Sequence, residues 1–140
     1  MEEILDLYNF ALNFESFCEK TEGNGLNKEI FSVKFKILFF IYKYRQTSPS
    51  NLVDFLNMAK SNVALFCKQL LQEQLIVSRI DELDHRLIYY CLTKKGEKYI
   101  EKQFMEVDNY FKKCFNKNEI KDMHNSIKKV NKIFLKQGNN

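Results

Sequence analysis

Two short clusters hold the residues best suited to contact chemistry. One is Lys60-Ser61-Asn62, continued along the same helical face by Leu65 and Lys68. The other is Asp84-His85-Arg86. An asparagine amide offers a paired donor and acceptor that match an adenine edge, and a serine hydroxyl adapts to several bases. A leucine at the position of Leu65 suits a thymine methyl, while Lys60 and Lys68 suit phosphates, which fix position rather than sequence. Arg86 at a hairpin tip suits a narrow minor groove, where the negative potential is enhanced. Asp84 is placed to hold it by a paired salt bridge. The plainer alternatives are a solvated helix face and an exposed ion pair worth at most about 1 kcal/mol.

A third group, Thr47, Ser48, Ser50 and Asn51, lies at the start of a helix. Capping is its first expected role, and phosphate contact through hydroxyl or amide groups is compatible with it. Catalytic patterns are missing. The sequence has no Gly-rich phosphate loop, no H-E-x-x-H and no nucleophile elbow, so no enzyme, cofactor or metal is expected. The cysteines Cys18, Cys67, Cys91 and Cys114 form no C-x-x-C pair and match no zinc spacing. His85 and His124 are far apart in the chain.

The net charge of +4 is mild, so its placement matters more than its size. Residues 55–72 contain no acid and include Lys60 and Lys68. The segment after them adds Arg79, Arg86, Lys94, Lys95 and Lys98, offset by Asp81, Glu82 and Asp84. The chain starts Met1-Glu2-Glu3, unlike the basic start of a signal peptide. Its longest apolar run, residues 37–42, is far short of the roughly 20 residues of a membrane span. A cytoplasmic protein with reduced thiols and no membrane contact is expected.

These clusters need elements to carry them. Leu7, Phe10, Ala11, Phe14, Phe17 and Cys18 recur at helical steps and predict a helix over 3–20. Gly23 and Gly25 predict a loop over 21–27. Residues 29–44 predict a helix apolar on most sides, with Phe31, Val33, Phe35, Ile37, Leu38, Phe39, Phe40 and Ile41 in the core. Ser48-Pro49 restarts the chain as a cap followed by proline, giving a helix over 49–56 that buries Leu52, Phe55 and Leu56. After a turn at 57–59, a helix over 60–73 turns Val63, Phe66, Cys67 and Leu70 inward. Residues 76–80 and 87–92 read as strands joined by a tip at 81–86. Thr93 caps a long helix over 94–115, and a break at 116–118 precedes the last one. Helix, turn, helix and hairpin in this order make a winged helix-turn-helix, a mainly α fold with a small β-wing.

With these parts in place, the chain resembles the MarR family of bacterial regulators. Lys60 to Leu65 look like that family's recognition-helix start. Asp84-His85-Arg86 matches its D-x-R wing motif, and Leu92-Thr93-Lys94-Lys95-Gly96 its L-T-x-x-G. Three positions depart from the family's usual residues. Leu65 stands where arginine is common, Ala59 where a capping residue is common, and Gln74 where glycine is common. The resemblance implies a homodimeric transcription factor, taken here as a repressor. It would bind a pseudo-palindromic operator in double-stranded DNA and be released by a small ligand or by thiol oxidation. Because some members of that family sense peroxide through a first-helix cysteine, Cys18 is the candidate sensor, against the plainer reading of an inert cysteine buried on the apolar stripe.

The expected division puts the DNA-binding domain at 31–99 and a helical dimerisation region at 1–30 and 100–140. The apolar stripes of the terminal helices exceed what the central module can cover, so a homodimer is expected. Tyr8, Phe14, Phe17, Phe35, Phe39 and Tyr42 are candidates to line a pocket for a small aromatic effector between the dimer helices and the central module, with plain core packing the alternative. The expected DNA contacts are Lys60, Ser61, Asn62, Leu65, Lys68, Asp84, Arg86 and Ser50. The alternative is a degenerate winged helix that pairs with another regulator without reading DNA sequence.

Overall fold

A computed structural model describes residues 1–20 and 28–138. Among these residues, six α-helices and a two-stranded antiparallel sheet follow in the order α1 (Glu2–Lys20), α2 (Val33–Tyr44), α3 (Pro49–Leu56), α4 (Lys60–Gln72), β1 (Ile76–Ile80), β2 (Ile88–Leu92), α5 (Lys94–Cys114) and α6 (Lys117–Gly138). The expected loop at 21–27 lies outside the described residues.

The start of α2 differs from the expectation. A 3-10 turn, Lys28–Phe31, comes first. Ser32 then caps α2, its hydroxyl accepting from the Phe35 amide at 3.1 Å. An N-cap serine satisfies an amide that an unbroken helix could not serve through its side chain. The core is also more one-sided than predicted. α2 buries Phe35, Ile37, Leu38 and Ile41, whereas Phe31 and Phe39 of this segment and Phe55 of α3 remain substantially exposed. An all-apolar helix needs cover on every side, and a single copy of this chain covers α2 on part of its circumference.

Local chemistry sets the other boundaries. The Ser48 hydroxyl accepts from the Asn51 amide at 3.2 Å, with Pro49 opening α3. Asn57, at φ 50°, closes α3 in the left-handed region. α4 packs Val63, Cys67 and Leu70 into the same core as Ile41, Leu52 and Ile76. Its end is a Schellman turn. Leu75 N–H donates to the Leu70 carbonyl at 3.0 Å and Gln74 N–H to the Leu71 carbonyl at 3.1 Å, with Gln74 at φ 61°.

The wing pairs Ile76 with Leu92 and Ile80 with Ile88. Thr47 adds a bridge on its other edge. Tyr90 N–H donates to the Thr47 carbonyl at 2.8 Å, and Thr47 N–H donates back at 3.1 Å. Thr93 caps α5 by accepting from the Gly96 amide at 3.0 Å and donates its own hydroxyl to the Gln74 carbonyl at 2.7 Å. A Cβ at position 96 would stand 2.1 Å from the Leu75 carbonyl oxygen, so this close crossing requires glycine. α6 opens on a capping box. The Glu119 amide donates to Asn116 Oδ1 at 2.9 Å and the Asn116 amide to Glu119 Oε1 at 3.1 Å.

α1 buries none of its residues. Near its end, Phe17 packs on Tyr110, Phe111 and Phe115, with ring centroids 5.5–6.0 Å apart. Phe10 and Phe14 of α1 and Ile133, Phe134 and Leu135 of α6 stay exposed.

Candidate nucleic-acid interface

The inward face of α4 is fixed by Val63, Cys67 and Leu70. The opposite side must therefore present Ser61, Leu65 and Lys68, at helical steps of four and three. All three are exposed, as are Lys60 and Asn62. No side chain caps this helix, because Ala59 stands at its N-cap position. Its first turn also carries no acid. Both features leave the positive end of the helix dipole unopposed at the end that displays Lys60, Ser61 and Asn62.

The wing tip is built by two aspartates. Asp81 Oδ1 accepts from the amides of Leu83 at 2.8 Å and Asp84 at 2.9 Å. Asp84 O accepts from the Leu87 amide and Leu87 O from the Asp81 amide, both at 3.0 Å. The Asp84 carboxylate then grips Arg86, whose Nε donates to Oδ1 at 3.0 Å and Nη2 to Oδ2 at 3.1 Å. The Arg86 amide also donates to Oδ1, at 3.1 Å. Hydrogen bonds from Arg86 hold the Asp84 carboxyl below its ordinary range, and the carboxylate raises the guanidinium in return. The pair is solvent-exposed, so its value lies in aiming the guanidinium rather than in stability.

One groove joins the pieces. Ser48, Ser50 and Asp54 of the α3 segment, Lys60 at the start of α4, and Arg86, Leu87 and Ile88 of the wing line the same open cleft. Ser50, Lys60 and Arg86, far apart in sequence, are thus neighbours on one face. Ser61, Asn62, Leu65 and Lys68 continue along α4, and Asp84 sits behind Arg86. Ser48 Oγ lies 3.1 Å from Ser50 Oγ. Thr47 is 1% exposed, so among the four residues of the α3 start it has no access to a ligand. His85 is exposed. Sequence reasoning passed over Asp81 as a mere counter-charge, although an aspartate two and three residues before amides is the pattern of a side-chain turn.

Within one chain, the six aromatic residues expected around an effector turn to different neighbours. Phe35 and Phe39 pack edge-on against Phe104, while Phe17 belongs to the separate cluster on Tyr110, Phe111 and Phe115. Phe14 stacks on Phe10. Tyr8 is exposed, and Tyr42 lines a small cleft with Arg45 and Glu97. Helical spacing fixes a face within one helix, but these residues lie on two helices that turn them to different neighbours. Burial raises the Cys18 thiol and pushes Cys67 to about 11, the reverse of what a reactive thiolate needs. Among the described residues no group of His, Cys, Asp and Glu could hold a metal ion. No helix among them is long and apolar enough to cross a membrane.

Helix, turn, helix and an arginine-bearing ribbon on one face define a winged helix-turn-helix protein. Residues 32–88 match the model of the MarR family, so the resemblance carried by the motifs holds along the segment that contains α2 to the start of β2. Solved structures share the fold. Transcriptional regulator Tm0710 from Thermotoga maritima is 22% identical with a TM-score of 0.67, over 95% of this chain and 99% of that one. A mutant MarR from E. coli complexed with operator DNA is 19% identical with a TM-score of 0.60, over 91% and 95%. BpsR of Bordetella bronchiseptica, whose DNA binding is regulated by 6-hydroxynicotinic acid, is 16% identical with a TM-score of 0.51, over 71% and 74%. A comparison of the sequence with curated proteins finds no match.

Proposed function

We propose that this chain is a transcriptional regulator, acting as a repressor, that binds a pseudo-palindromic operator as a homodimer. Each copy would lay α4 in a major groove, with Ser61 and Asn62 at base edges, Leu65 against a thymine methyl, and Lys60 and Lys68 on phosphates. Ser50, at the start of α3, would meet the adjoining phosphate. Arg86, aimed by Asp84, would enter the flanking minor groove. The observation that carries this reading is the shared groove of Ser50, Lys60 and Arg86, which sets the wing beside the N-terminal end of α4. The operator-bound MarR mutant with the same fold supports it.

Dimerisation would come from residues 1–30 and 100–140, leaving 31–99 to bind DNA. The exposed apolar side chains of α1 and α6 supply the surface. A small aromatic ligand is the effector class we assign, by analogy with BpsR. The ring cluster of Phe35, Phe39 and Phe104 joins α2 to α5, where an inserted ring would shift the DNA-binding part against the dimer helices.

The test is selection of bound duplexes from a random pool. Enrichment of an inverted repeat, its half-sites roughly 10 bp apart, is the expected result. Only weak, sequence-blind binding would instead favour a winged helix that pairs with another regulator.

A further inference from the structure

The tip of the wing, otherwise charged or polar as hairpin tips ordinarily are, carries one apolar residue, Leu83. Leu83, at its apex, is 99% exposed. Ile80, Leu87 and Ile88 around it are also exposed. This is no slack loop, because Asp81 Oδ1 binds the amide of Leu83 itself and that of Asp84. Leucine is therefore held outward on a fixed turn, three residues from a guanidinium that is also fixed. Asp81 is committed to backbone amides and Asp84 to Arg86, so two of the three acids on the wing are internally satisfied.

We propose, resting on the DNA-binding reading above, that Leu83 is an apolar wedge that enters the minor groove beside Arg86 and partly unstacks one base step. Leucine and isoleucine side chains act this way in minor-groove binders, bending the duplex by about 20–90°. The neighbouring Ile80 and Leu87 would lie against the deoxyribose walls. The wing would then sense deformability rather than base edges. Pyrimidine–purine steps such as TA, which unstack most easily, would be preferred at that place in the operator. An exposed leucine would otherwise bring no gain in solution, where it only keeps apolar surface in water.

The experiment uses the full chain and a selected operator labelled at both ends for energy transfer, with TA or AA at the wing position. Wild type should bend the TA duplex and prefer it by about fivefold, the low end of what one mismatched step costs. Leu83→Ala and Leu83→Ser should lose the bend and the preference, while keeping the salt dependence, because no phosphate contact is removed. Leu83 makes so little contact with the protein that both variants should fold, which circular dichroism would verify. If wild type binds its operator without bending it, or if both variants bend and discriminate like wild type, the wedge is wrong and the regulator reading stands. If wild type selects no duplex at all, the regulator reading falls and the wedge with it.

Discussion

Arg86 is held by Asp84 at two points on the wing, Nε to Oδ1 at 3.0 Å and Nη2 to Oδ2 at 3.1 Å. A guanidinium that is already oriented loses less side-chain entropy when it enters a groove. Arg86→Ala should therefore weaken operator binding about tenfold or more, with the dimer intact. Asp84→Ala should weaken it less, because the positive charge stays but is no longer aimed. The pair also has a pH signature. Arg86 lowers the Asp84 pKa in the folded chain, so its contribution is present above the unfolded value and is lost as pH falls through the folded one. A carbon-13 titration of the Asp84 carboxyl should give a midpoint below that of an unpaired aspartate, and Arg86→Ala should move it upward. An unmoved midpoint would mean that the pair does not persist in solution.

Gly96 is required by contact rather than by dihedral angle. Its missing Cβ makes room for the Leu75 carbonyl, which would otherwise lie 2.1 Å away. Alanine would favour the helix by up to about 1 kcal/mol, but forcing α5 off the wing base should cost about 1–3 kcal/mol. Gly96→Ala should lower stability in urea unfolding. Equal or greater stability would show that α5 does not cross so close to Leu75.

Both ends of α4 depart from ideal helix chemistry, and each departure is correctable. Ala59 makes no capping hydrogen bond, and Gln74 occupies the left-handed region at φ 61°. Ala59→Ser should stabilise by about 0.5–2 kcal/mol. Gln74→Gly should stabilise by up to about 1 kcal/mol, the lost strain outweighing the added freedom of the unfolded chain. The two sites lie about 20 Å apart along the helix, so their effects should add in a double variant. Differential scanning calorimetry of the three variants tests this.

Much of this was legible in the sequence because short polar signals sit at the element ends. Ser48-Pro49, Thr93 and the Asn116 break each mark a boundary that the structure keeps. Two of the three departures from the usual MarR residues also pointed to real features, since Ala59 leaves a helix uncapped and Gln74 bends left-handed. The burial of Phe31, Phe39 and Phe55 was misread for a definite reason. A run such as Phe39-Phe40-Ile41 has no polar side, so periodicity cannot say which face finds a neighbour. The convergence of aromatic residues from α1 and α2 is likewise tertiary and is not set by spacing within one helix. The groove that brings Lys60 to Arg86 was inaccessible for the same reason, although each residue could be singled out alone.

The exposed faces of α1 and α6 make a prediction that separates monomer from dimer. Phe10 is 59% exposed and Ile133 64% exposed, so in a monomer Phe10→Glu and Ile133→Glu should be nearly neutral, within about 0.5 kcal/mol. In the proposed dimer these positions are covered, and a buried unpaired carboxylate is costly. Sedimentation equilibrium should show wild type as a dimer and the double variant shifted toward monomer. A wild-type monomer, or a double variant that stays dimeric, would remove these helices as the interface.

Hydroxyl-radical footprinting of the full chain on its selected operator tests the central claim most directly. The account predicts two protected backbone tracts related by the operator's dyad, each covering the edges of a major groove and the minor groove beside it. In Arg86→Ala the minor-groove protection should disappear while the major-groove edges persist. A single continuous footprint indifferent to sequence, or minor-groove protection that survives Arg86→Ala, would contradict a dimer that sets α4 and an arginine-tipped wing against one duplex.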